Sequence, residues 1–183
     1  MKAMAFRSWW LCAALCVVLA PPVLAQKEQR KTIDFPDELS DQVQEDFELA
    51  DCFQEGNPPV AEQTTTEQLN ITATTSTVLL ITGTGSCLAN GNNFPFLVYA
   101  KFGNNWRKIL RGDGSFVQIL PSMTIGWHDL EVTYRSSQSE TVREVFRFNK
   151  AEYREAICET LSYPKNSDKP QRKPCPGWEG KKG

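Results

Sequence analysis

Histidine occurs once in this chain, at His128, and no two cysteines or cysteine and histidine stand in a C-x-x-C or C-x-x-H frame. Structural zinc needs four nitrogen or sulfur ligands at such close spacing, so neither a metal nor another cofactor is expected. The chain also lacks a complete glycine loop. Gly83-Thr84-Gly85-Ser86 has no third glycine and no following Lys-Ser/Thr, and it misses the G-x-S-x-G frame of a serine nucleophile. Calcium chemistry is excluded in the same way, because the acidic stretch has no Asp/Asn ladder with a central glycine. No apolar run reaches the roughly 20 residues that cross a bilayer as a helix. Nucleic acid is an unsuitable partner, since net charge is −2 and the basic tail has no interleaved aromatics.

What is present begins at the amino terminus. Lys2 and Arg7 precede an apolar run from Trp9 to Ala20, followed by Pro21-Pro22-Val23-Leu24-Ala25. This is the layout of a secretory signal peptide over residues 1–25, with cleavage after Ala25. Leucine precedes both Cys12 and Cys16, which fits a lipid-attachment site badly. Release without stable membrane insertion follows, to a periplasmic or secreted address.

The mature chain keeps Cys52, Cys87, Cys158 and Cys175. An even count in an oxidising compartment reads as two disulfides, with three pairings open.

Charge is segregated. Between Asp34 and Glu67 stand 11 acids and no base, whereas Lys165 to Gly183 carries six bases and two acids. Residues 26–36 read as a flexible segment. Over 37–53, Leu39, Val43, Phe47 and Ala50 form one apolar stripe, predicting an acidic amphipathic helix with Asp37 as its N-cap. From 68 to 158 the pattern turns to period two. Leu69-Ile71-Ala73 and Val78–Thr82 read as strands, Gly83–Asn93 as a loop, and Phe96 onward as a β-meander. Turns are expected at Gly103-Asn104-Asn105, Gly112-Asp113-Gly114, Ser136–Ser139 and Asn149-Lys150. Ala151 to Leu161 admits strand or helix, and strand is taken. Residues 164–183 read as a basic Pro/Lys/Gly-rich tail, disordered apart from Cys175.

Few residues invite a chemical role. His128 beside Asp129 has the composition of a base and its orienting carboxylate, but neighbours on a strand point to opposite faces. His128 therefore stands as a weak catalytic candidate. Arg111-Gly112-Asp113 matches an adhesive tripeptide, although Gly-Asp-Gly is also ordinary turn material. Asn70-Ile71-Thr72 is a glycosylation frame that matters only in a eukaryotic secretory pathway. The aromatic set between Phe96 and Tyr153 mostly supplies core, with Trp106 and Trp127 as the candidates for a binding surface.

Three pieces carry a resemblance: Trp106-Arg-Lys-Ile-Leu110, Gly126-Trp-His-Asp-Leu130 and Phe146-Arg-Phe-Asn-Lys-Ala-Glu-Tyr153. In this order they resemble small exported bacterial proteins of unassigned function, over roughly residues 96–158. Phe146 stands where tyrosine is usual, and Lys150 where glycine usually makes the turn. The resemblance implies an antiparallel meander, a bacterial source and a periplasmic address, and it transfers no catalytic residue. Asp129 would then bond backbone amides at a strand-entry turn after Gly126.

The expected fold is α+β: one N-terminal amphipathic helix and an antiparallel β-meander of about six to eight strands, disulfide-stapled, in a single domain over 37–163. The expected function is that of an exported non-enzymatic binding or inhibitor-like protein of the bacterial envelope, whose partner is another envelope or extracellular protein or a glycan. Two alternatives stand beside it: a cell-envelope hydrolase using His128, and a periplasmic assembly or stability factor.

Overall fold

The computed structural model describes residues 30–47, 50–54, 56–74, 76–89, 91–164 and 169–178; residues 1–25, expected to be a signal peptide, lie outside them. Among the described residues, ten strands form two five-stranded antiparallel sheets. The first sheet holds β1 (Arg30–Ile33), β2 (Thr64–Leu69), β3 (Val78–Gly83), β4 (Phe94–Phe102) and β5 (Asn105–Gly114), in chain order. The second holds β6 (Phe116–Thr124), β7 (Trp127–Arg135), β8 (Glu140–Phe148), β9 (Tyr153–Ser162) and β10 (Gln171–Pro174), also in chain order. The α+β meander is thus the architecture, with two strands more than the eight expected.

Between β1 and β2 lie a 3-10 turn at Asp37–Leu39, α1 (Ser40–Phe47), a second 3-10 turn at Ala50–Phe53 and α2 (Val60–Gln63). The helix expected over 37–53 is therefore interrupted. Pro36 occupies the cap position of the first turn and makes no side-chain cap bond, so Asp37 is not the N-cap. The apolar stripe itself is correct. Leu39, Val43 and Phe47 are buried with Leu79, Ile81, Leu97 and Tyr99 on one face of the first sheet.

A second core lies between the sheets, joining Leu80, Phe96 and Val98 to Val117, Leu130, Val132 and Phe148. The first sheet is thus covered on both faces. That explains why Leu79-Leu80-Ile81 and Phe96 to Ala100 are buried without alternation.

Four boundaries differ from expectation. Residues 30–33 are a strand rather than a loose lead-in, paired with β2 and tied to β6 by Arg30, whose guanidinium donates to the Val117 carbonyl. The strand expected across Leu69 to Ala73 runs from Thr64 to Leu69, and Thr72 only forms an isolated bridge to Trp127. Gly112-Asp113-Gly114 is not a turn but the end of β5; the chain crosses to the second sheet at Ser115. Glycine is required there by proximity, since a Cβ on Gly112 would lie 2.7 Å from the Phe96 ring and one on Gly114 2.7 Å from Val132 Cγ1. Finally, the tail is not all disordered. Gln171–Pro174 pairs with β9. The folded unit consequently extends beyond 37–163 at both ends, and the β region runs past 158.

Candidate functional site: the tip of the β6–β7 hairpin

The cysteines pair as Cys52–Cys87 and Cys158–Cys175. The first bridge fixes the chain after α1 to the loop following β3, and the second staples β10 to β9. Both fit an oxidising compartment.

His128, Trp127 and Asp129 all stand at the start of β7, beside the turn of the β6–β7 hairpin. Its turn is two residues long, Ile125 and Gly126, with φ of 53° and 77°. Two successive positive φ values define a type I′ turn, whose right-handed twist suits the flanking strands and which ordinarily carries Asn-Gly. A β-branched side chain in this region is strained, because Cβ crowds its own backbone. Ile125 is nevertheless there, 57% exposed, and Met123 beside it is 47% exposed. Pro121 and Ser122 are exposed as well.

The turn is held by an unusual amount of structure. Register shifts between Ile119 and Met123, so that Leu120, Pro121 and Ser122 bulge out opposite Asp129. Asp129 is only 3% exposed and fills this bulge. Its carboxylate accepts from Ser122 Oγ at 2.8 Å and Thr124 Oγ1 at 2.7 Å, with Arg147 Nε at 3.7 Å. The expectation that Asp129 bonds backbone amides is thereby corrected: its partners are hydroxyls, because the bulge brings the β6 side chains to it. His128 turns elsewhere, as strand alternation requires. Its Nδ1–H donates to the Leu120 carbonyl at 2.7 Å. Neither a carboxylate nor a nucleophilic hydroxyl is brought to the imidazole among these bonds.

Trp127 is 6% exposed, so it belongs to the core and not to a surface. It stacks on Phe148 at 4.2 Å, meets Tyr153 edge-on, and touches Phe102 of the first sheet at 6.2 Å. Tyr153 Oη donates to the His128 carbonyl at 2.6 Å. Burial, with Asp129 adding to it, holds that phenol well above its ordinary pKa, so it remains a donor. The connection between β2 and β3 meets the hairpin here: His128 N–H donates to Ile71 O at 2.7 Å and Ala73 N–H to Gly126 O at 3.4 Å. Trp106 is remote from all this. It lies on the helical side, its Nε1 donating to Glu38 at 2.9 Å and Lys101 resting 5.0 Å over its ring. The Trp106 bond first, and then Lys101, whose Nζ lies 3.4 Å from Glu38 Oε1, pull the exposed Glu38 carboxyl below its usual range.

Sequence reasoning missed Met123 and Ile125. The signal lies in an isoleucine directly before Gly126, where a two-residue turn needs αL.

Other clusters are less suited to a site. An open depression of about 440 Å³ is lined by Asn92, Ser115, Thr133, Tyr134, Arg135 and Thr141, at the opposite end of the second sheet from His128. Glu144, Glu155 and Cys158 approach one another within 4.8 Å, but the Cys158 sulfur is in a disulfide and offers no thiolate. Arg111-Gly112-Asp113 lies along β5, with Arg111 Nη2 donating to Phe47 O, and does not protrude as an adhesive loop.

No protein-family model matches this chain, and no match is found among curated proteins or solved structures.

Proposed function

We propose that this is an exported, non-enzymatic binding or inhibitor-like protein of the bacterial envelope, with the β6–β7 hairpin tip as its docking element. One observation carries the reading: Ile125 holds φ +53° at the apex with its side chain in solvent. Strain of this kind persists only where surrounding structure over-determines it, and it concentrates at functional positions. Asn or Gly at the same place would relieve the strain; isoleucine keeps an apolar group at the apex. The partner is an extended surface of the envelope rather than a small molecule, because the tip is convex and exposed. Two disulfides and the signal-like amino terminus support a periplasmic or secreted address.

The hydrolase reading is less well supported because the bonds described bring no carboxylate or nucleophilic hydroxyl to the His128 imidazole, whose Nδ1–H donates to a carbonyl, and Asp129 is engaged by two hydroxyls. An assembly factor gripping through its acidic helix is also less well supported. Asp46 of α1 is engaged by Tyr99 and Lys108, each at 2.5 Å, and Glu38 by Trp106.

The test is retention of the mature protein on native envelope. The pair Met123→Ser and Ile125→Asn is expected to cut retention tenfold or more while the protein unfolds at no lower temperature than wild type. Undiminished retention of the folded double variant would rule out the tip.

A further inference from the structure

The two non-glycine residues with positive φ among the described residues are Ile125 and Lys150. They belong to the β6–β7 and β8–β9 turns, which meander order places at the same end of the second sheet. One puts an apolar side chain at an apex, the other a cation at the adjoining turn. Lys150 is exposed, in a turn closed by Asn149 Oδ1, which accepts from the backbone N–H of Ala151 and Glu152 at 3.2 Å.

A second observation concerns charge. Arg147 and Arg154 are direct register partners across β8 and β9. Like charges placed directly opposite each other are unfavourable for a sheet. Their acidic neighbours are Asp129, at 3.7 Å from Arg147 and already holding two hydroxyls, and exposed Glu152, at 3.0 Å from Arg154. On the other flank Arg107 is exposed and lies 4.2 Å over the Phe102 ring, which itself touches Trp127. A chain with an acidic net charge thus gathers Arg107, Arg147, Lys150 and Arg154 around its exposed apolar tip.

The third observation is where the polar groups of the tip point. Ser122 and Thr124 hydroxyls turn inward to Asp129, Leu120 O accepts from His128, Gly126 O accepts from Ala73, and Pro121 has no N–H. A protein partner is recognised by polar groups facing outward at the rim of an interface. An apolar phase instead requires that polar groups be satisfied from within.

From these we infer that the tip end docks reversibly on an anionic lipid surface, Met123 and Ile125 entering the headgroup–acyl boundary while Arg147, Lys150 and Arg154 engage lipid phosphates. This rests on the reading of the tip as docking element and names the surface it meets. Apolar entry supplemented by cations at headgroup depth is the physics of peripheral, non-spanning attachment.

The probe is phosphatidylcholine vesicles with and without a quarter of phosphatidylglycerol, co-sedimented with the mature protein at low and high salt. Binding is expected only with phosphatidylglycerol, and it should weaken steeply with salt. Each of Arg147→Gln, Lys150→Gln and Arg154→Gln should weaken it about fivefold. Met123→Ser and Ile125→Asn should each weaken it about tenfold or more. Equal binding to pure phosphatidylcholine, or basic-residue variants that bind like wild type, would overturn the lipid assignment. Retention on native envelope through the tip, with no binding to either vesicle, would overturn it too and leave the docking element standing with a protein or glycan partner.

Discussion

Thr124 donates to Asp129 at 2.7 Å just behind the turn of the β6–β7 hairpin, and the bond is nearly sealed from solvent on the acceptor side. This contact and its Ser122 counterpart convert a three-residue bulge into a fixed platform. Asp129→Ala would leave two hydroxyls and Arg147 without their acceptor. Removing one partner of buried hydrogen bonds exposes the desolvation cost of the others, so a loss of about 1–3 kcal/mol is expected in urea unfolding. Limited proteolysis should also begin to cut between residues 120 and 126. A loss within about 0.5 kcal/mol, the range of an ordinary surface substitution, would show that the bulge holds itself.

Ile125 and Gly126 share the turn, yet they differ in what the turn costs them. Glycine takes positive φ freely. Isoleucine is strained by roughly 1–2 kcal/mol. Ile125→Gly removes that strain but adds backbone entropy to the unfolded chain, offsetting about 0.5–1 kcal/mol. Ile125→Asn avoids the entropy cost and should stabilise by about 1 kcal/mol, read as a higher denaturation midpoint at unchanged slope. The same variant should dock more weakly. A substitution that stabilises while it disables is the signature of strain kept for function; a destabilised Asn variant would mean the isoleucine is held there by packing.

The helical stripe, the strands from β3 to β9 and the disulfide state of the four cysteines, though not their pairing, were legible in composition and period. What was not legible was long-range. Arg30 looks like part of a polar lead-in until β2 is placed beside it, because pairing with a distant strand leaves no local trace. The bases of 171–174 likewise read as disorder, since only the Cys158–Cys175 bridge and the β9 edge give them a reason to extend. Asp129 and His128 were rightly separated by strand alternation. The bulge that rotates Ser122 and Thr124 toward Asp129 is a tertiary adjustment, however, and period-two reasoning runs straight through it.

Gly114 makes the crossing between sheets possible, so its replacement has a defined price. A Cβ there would sit 2.7 Å from Val132 Cγ1 and 3.2 Å from Thr133 O. The backbone atom cannot step aside, and Ser115 N–H already donates to that same carbonyl at 2.7 Å. Gly114→Ala is expected to destabilise by about 1–3 kcal/mol, as overpacking of a closed site does. Gly103→Ala, at φ 62° with open space around it, should cost about 1 kcal/mol through backbone strain alone. Equal costs at both sites in thermal unfolding would argue against crowding at the corner.

Glu144 carries a pH-dependent term with a definite sign. Burial, and next the neighbouring Glu155, raise its pKa above the usual carboxylate range, while Tyr134, donating at 3.2 Å, opposes the shift. A folded-state pKa above the unfolded one contributes stability that is full below the unfolded value and is lost as pH rises through the folded value. Glu144→Gln should therefore gain stability relative to wild type as pH rises from the ordinary carboxylate pKa through the raised one, then hold a constant difference. The Tyr134 phenol is pushed up to about 12, by burial first and Glu144 second, so its own stabilising contribution fades between about pH 10 and 12. Denaturation midpoints across these two windows, with Tyr134→Phe as the second variant, separate the two groups. A flat difference between wild type and Glu144→Gln across the acid window would contradict the raised carboxyl.

The two disulfides should differ in kind more than in size. Loop closure over a separation of 35 residues for Cys52–Cys87 corresponds to about 4 kcal/mol, and over 17 residues for Cys158–Cys175 to about 3 kcal/mol. Their surroundings diverge further. Cys52 is buried in the core beneath α1 with Phe47 and Leu97, so breaking its bridge loosens the helical layer from the first sheet. Cys175 follows β10, an exposed edge strand that contacts the rest through β9. Replacing Cys158 and Cys175 by serine should therefore release β10 and abolish amide protection at residues 171–174, while protection across β6 to β8 persists. Replacing Cys52 and Cys87 should lower the global unfolding free energy and the protection of β3 and β4 together, because local openings there require the whole helical layer to lift. Hydrogen exchange resolved by segment distinguishes the two. Retained protection at 171–174 after loss of its bridge would mean that the β9 pairing alone holds the strand.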